Sequence, residues 1–129
     1  MKSSQPNNND NPSVSSPRDN PCLGTDTTIA ALDVFADDGI SYLLPYAQFL
    51  YAERISNPAM DKEPDAPPEK MLIHFARADV VVLGSGLKTL ERGIQKYELK
   101  FVKSADRRLA ATLNTHIAAV TVTLAKENV

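Results

Sequence analysis

Three groups of residues in this chain have types and spacings that could do chemistry. The first is VVVLGSGL at residues 80–87. An apolar run, glycines and then a helical pattern is the layout of many phosphate-binding loops, where free amides and a helix N-terminus attract anions. The spacing completes no nucleotide motif. A dinucleotide fingerprint needs glycine where Thr89 stands, and a Walker loop needs four residues between its glycine and Gly-Lys. Ser85 is not in a hydrolase elbow either, because Leu83 rather than glycine stands two positions before it. The chain beyond Gly86 is too short for the rest of a dinucleotide fold. The expectation is a structural corner in which the glycines permit a sharp reversal and Ser85 caps the next helix.

The second group is basic. Lys88, Arg92 and Lys96 recur every four residues, so they share one helix face. Lys100, Lys103, Arg107 and Arg108 follow. From Leu87 to Arg108 there are seven bases against three acids, in a chain whose formal charge is −2. Such a surface, with Lys88, Arg92, Lys96, Arg107 and Arg108 as its candidates, fits an acidic protein partner or a solvated face answering the acidic loop Asp61–Glu69. Nucleic acid is not expected, because no aromatic residue stands between Lys88 and Lys96 to serve as a stacking platform.

The third group is His74, His116 and the aromatic run Tyr42, Tyr46, Phe49, Tyr51. A histidine beside a carboxylate can act as a general base or bind metal. Nothing in the sequence pairs the two histidines, and Cys22 is the only cysteine. The acids of MDKEPDAPPE lack the glycine and register of a calcium loop. No catalytic residue, metal or cofactor is therefore assigned. Tyr42, Tyr46, Tyr51 and His74 are taken as one pocket or interface.

These groups need a scaffold. Residues 1–24 are mostly Ser, Asn, Pro and Asp. They have little to bury and read as a disordered tail, with Cys22 exposed in it and the tail dispensable for folding. Residues 25–129 read as one α+β domain. TTIAALDVFADDGISYLL is a hairpin turning at Asp37-Asp38-Gly39, although Ile29, Leu32 and Phe35 also fit a helix. Pro45–Gln48 is a short turn, and a strand follows over Phe49–Ile55. SNPAMDKEPDAPPE is a loop. Lys70–Ala76 and Val80–Leu83 are strands with Arg77-Ala78-Asp79 between them. Leu87, Leu90, Ile94 and Tyr97 mark a helix, and Leu99 with Phe101 a strand. Ser104–Asn114 is a short helix, and Ile117–Ala125 the last strand. The fold expected is a small, mostly antiparallel, barrel-like sheet with one or two short helices.

The N-terminus has no apolar core of a secretory signal, and no run is long enough to span a membrane. A cytoplasmic protein is the default. The reading is a non-enzymatic protein-binding or assembly module, a homo-oligomer with a dimer favoured, because apolar sheet faces and edges invite partners. The alternatives are a small ligand-binding protein or enzyme using the Tyr42–Tyr51 region with a histidine, and a nucleic-acid accessory protein using the basic stripe.

Overall fold

The computed structural model describes residues 20–106 and 114–125. In chain order its elements are β1 (Leu23–Thr25), β2 (Ala31–Phe35), β3 (Ser41–Pro45), β4 (Phe49–Ser56), β5 (Glu69–Phe75), β6 (Ala78–Ser85), α1 (Lys88–Gln95), β7 (Leu99–Lys103) and β8 (His116–Leu124). Short 3-10 turns at Tyr46–Gln48 and Pro58–Asp61 interrupt the loops.

The strands form two sheets where one was expected. The first has the order β1-β7-β2-β3, and the second β4-β5-β6-β8. Neither closes into a barrel. All neighbours are antiparallel except β2 and β7, which run parallel. The helix expected over Ser104–Asn114 falls largely outside the described residues. Its candidate cap, Ser104, instead donates its hydroxyl to the carboxylate of Asp37 at 2.8 Å.

Local chemistry explains the hairpin of the first sheet. Asp37-Asp38-Gly39 is a three-residue loop closed by Ala36 N–H donating to the Ile40 carbonyl at 3.0 Å. Gly39 holds φ 90°, which an L side chain rarely adopts. Along β2 burial alternates, with Leu32 and Val34 inward, so the strand period prevails over the helical one. Pro45, which has no N–H to donate, ends β3.

In the second sheet the β5–β6 turn lies one residue earlier than expected, at Ala76-Arg77, with Phe75 opposite Ala78. Met71, Ile73, Val80, Val82, Ile117 and Val120 point inward from this sheet and are fully buried. They meet Leu32, Val34 and Val102 of the first sheet and Leu87 and Leu90 at the start of α1. Each such side chain contributes about 1.5–3 kcal/mol by leaving water. The helix ends in a reversal: Tyr97 N–H bonds the Ile94 carbonyl at 3.0 Å and Glu98 N–H bonds the Gly93 carbonyl at 2.7 Å. Tyr97 occupies the left-handed position there at φ 55°, usually a glycine's place.

The segment Asn20–Gly24, assigned to the tail, packs onto the body. Cys22 is fully buried rather than exposed. Its carbonyl accepts from Lys103 N–H at 2.8 Å, and its sulfur accepts from Ile117 N–H at 3.4 Å. Asn20 donates its amide to the Thr115 carbonyl at 2.9 Å. The reason is sheet pairing: β1 adds to β7, and that carries the preceding residues across β8. Residues 1–19 lie outside the described residues. No helix among the described residues is long and apolar enough to cross a membrane.

Candidate functional site

Alternation along the second sheet sorts its residues onto two faces. The inner face is the core. The outer face carries Tyr51, Glu53 and Ile55 from β4, Lys70, Leu72 and His74 from β5, and Asp79, Val81 and Leu83 from β6, with Ala119, Thr121 and Thr123 from β8. Their register sets them in three rows across the strands. Tyr51, His74, Asp79 and Thr123 form one end row. Glu53, Leu72, Val81 and Thr121 form the middle. Ile55, Lys70, Leu83 and Ala119 form the other end.

The first row joins Glu53 of the middle row in a polar network. His74 Nδ1 lies 2.9 Å from Asp79 Oδ1, and Nε2 lies 3.0 Å from Glu53 Oε1. A carboxylate only accepts, so both bonds are made in full only by the doubly protonated ring. Burial opposes that charge, but the hydrogen bonds and charges of Asp79 and Glu53 outweigh it, and the His74 pKa is raised above its ordinary 6.5. Tyr51 stacks on the imidazole with ring centroids 4.3 Å apart. The arrangement leaves no ring nitrogen free to take a substrate proton or a metal ion. Among the described residues no cluster of His, Cys, Asp and Glu has the geometry of a metal site.

Apart from Glu53, Thr121 and Lys70, the other two rows are apolar. Leu72, Val81, Leu83 and Ala119 are half-buried by their own neighbours, and Ile55 is 42% exposed. None belongs to the core cluster or packs against it. Lys70 stands among them with no ion pair among the described residues.

The four residues grouped as one pocket therefore separate. Tyr51 and His74 come together on the outer face. Tyr42 turns inward and packs against the core. Tyr46 is a core residue, 5% exposed, donating its hydroxyl to the Leu99 carbonyl at 2.6 Å. Burial pushes its phenol pKa well up.

His116 sits elsewhere, with Nε2 2.9 Å from the Ala105 carbonyl. It lines a cavity of about 330 Å³ with Asp65, Ser85 and Ala118. Ser85 and His116 are cross-strand partners, yet no hydrogen bond joins them as nucleophile and base. A second cavity of about 450 Å³ lies on the outer face of the first sheet, lined by Ile29, Ala31, Phe35, Leu43, Lys100 and Phe101.

The glycine run forms a corner. A Cβ on Gly84 would overlap the His116 carbonyl oxygen, and one on Gly86 would overlap that of Asn114. Gly86 also has φ 65°. Thr115 locks the contact by donating its hydroxyl to the Gly86 carbonyl at 2.8 Å. Ser85 does not cap α1, since it lies at the end of β6. Glu69 takes that place, its carboxylate accepting from Leu87 N–H at 2.9 Å. The protein's own acid thus sits at the helix start, where a phosphate would have to bind.

Lys88, Arg92 and Lys96 are exposed on and just after α1. Among the described residues they have no ion pair with the acidic loop. The helix does make one elsewhere, Glu91 with Arg54 at 3.5 Å. Arg107 and Arg108 lie outside the described residues.

Comparison with protein-family models, curated proteins and solved structures finds no match for this chain.

Proposed function

We propose that this chain is a non-enzymatic assembly module that self-associates, with a dimer as its first state, through the outer face of the second sheet. One observation carries the reading. Three adjacent strands set exposed Ile55 and half-buried Leu72, Val81 and Leu83 on one face, with His74 and Asp79 at one end bonded to Glu53 of the middle row. An apolar centre with a polar rim is the anatomy of a protein interface. The geometry gives less support to an edge-paired assembly through β8. The first half of that strand is already covered, Val120 bonding Asp37 through both its N–H and its carbonyl, and Ile117 bonding Ala105 and Cys22.

The enzyme alternative has less support, because among the described residues neither histidine is joined to a nucleophile. The reading is tested by two-dimensional NMR over a dilution series. Concentration-dependent shifts should cluster on the amides of Leu72, Val81, Leu83 and Thr121. Shifts that do not change, or that cluster on β3 or α1, would contradict it.

A further inference from the structure

The outer face of the second sheet is charged asymmetrically along its strands. Glu53 and Asp79 flank His74 at one end. Lys70 stands at the other, on the same strand as His74 and on the same side. Leu72 lies midway, next to Val81. Two copies stacked face to face can be related by a two-fold axis along the strands or across them. An axis along the strands brings Lys70 over Lys70 if it lies over β5, and over Leu83 if it runs between β5 and β6, so in neither case does Lys70 meet a carboxylate. An axis across them, through the row of Leu72 and Val81, reverses the strand direction. Lys70 of each copy then lies over the partner's His74, between two carboxylates.

We propose that the partner of this face is a second copy of the chain, packed with its strands reversed about a two-fold axis through the Leu72–Val81 row. This rests on the self-association reading above and adds its geometry. The apolar rows supply contact, and the Lys70 pairing supplies register. The axis sets Glu53 over its own copy, but each carboxylate is bonded to the His74 of its own chain, so the two lean apart along the strands. An isologous interface repeats each contact, so the pairing occurs twice per dimer.

Size sets the expected strength. Four strands about 4.8 Å apart and seven residues at about 3.3 Å give a footprint of roughly 19 by 23 Å. That is below the ~800 Å² per partner of a standard interface, so the dimer is a weak one, in the micromolar range or above.

Charge exchange tests the geometry at pH 8.5 and low salt. Lys70→Glu alone and Asp79→Lys alone each set like charges together twice per homodimer. Each should weaken association by roughly ten-fold or more in sedimentation velocity. Mixed in equal amounts they form a heterodimer in which both contacts again join opposite charges. In one, the carboxylate introduced by Lys70→Glu faces the ammonium introduced by Asp79→Lys; in the other, the retained Lys70 faces the retained Asp79. The mixture should regain most of the parent's affinity. Melting curves check that each variant is folded. Where Val81→Lys abolishes the dimer but the charge variants do not weaken it, or the mixture is no tighter than its components, the reversed two-fold geometry is wrong and self-association through this face stands. A monomeric parent would overturn both.

Discussion

Three glycine substitutions separate backbone strain from close approach, and they bear on the VVVLGSGL corner. Gly39 has φ 90° with nothing among the described residues within 4 Å of an added Cβ. Gly39→Ala therefore costs only the conformational term, about 1 kcal/mol. At Gly84 the backbone is ordinary, but the new Cβ overlaps the His116 carbonyl oxygen and sits 3.1 Å from its carbon. Backbone cannot swing aside as a side chain can, so Gly84→Ala should cost about 1–3 kcal/mol. Gly86 has both problems, with φ 65° and the Asn114 carbonyl carbon 3.0 Å away. Gly86→Ala should cost about 2–4 kcal/mol, the two terms together. In a domain of this size 1 kcal/mol moves the melting temperature by about 4–8 °C. Scanning calorimetry should therefore rank the losses Gly86 above Gly84 above Gly39, with Gly86→Ala roughly 10–25 °C below the parent. Millimolar ATP, GTP or NAD should leave the parent's melting temperature unchanged. A Gly86→Ala protein as stable as Gly39→Ala would refute the close approach. Stabilisation by a nucleotide would refute the corner.

Other outcomes follow from single contacts. His74 has a raised folded pKa. Its protonation therefore adds stability in full below its unfolded pKa of about 6.5, and the gain is lost as pH rises through the folded value. The difference between the parent and His74→Gln in urea unfolding should be larger at pH 5.5 than at pH 9; a flat or reversed difference contradicts the network. Tyr46→Phe leaves the buried Leu99 carbonyl without its donor and should cost about 1–3 kcal/mol by denaturant titration; a loss under about 0.5 kcal/mol contradicts that bond's role. Deleting residues 20–25 from a chain that begins at Asn20 removes β1 and the buried Cys22, and should cost more than about 2 kcal/mol; an unchanged melt would show that the segment is not docked.

Where the sequence was legible, short-range chemistry decided. The Asp-Gly turn, the missing N–H of Pro45 and the spacing of Leu90 and Ile94 act within a few residues. The two-sheet arrangement was not legible, because β2 pairs with β7 across most of the domain and nothing local selects a parallel partner. The tail boundary failed for the same reason, since Cys22 is buried by β8, far away in the chain. The site was half visible. A two-residue turn at Ala76-Arg77 puts His74 opposite Asp79, but that turn carries no Asn-Gly or Asp-Gly signature, and neither residue has positive φ. Placing the turn over Arg77-Ala78-Asp79, starting one residue later and one residue longer, moved Asp79 into it and hid the pair. Glu53 was out of reach, because a long loop and an irregularity between Phe49 and Tyr51 set the β4 register.

The claim that the outer face of the second sheet joins two copies is met most directly by sedimentation equilibrium on the full chain. The parent and Val81→Lys should be run side by side from micromolar to near-millimolar concentration. The parent's mass should rise from the 14.1 kDa of one chain toward twice that value. Val81→Lys, with an ammonium in the middle row and an unchanged melt, should stay at one chain throughout. A parent that remains at one chain over the whole range, or a Val81→Lys protein that dimerises as the parent does, would contradict the account.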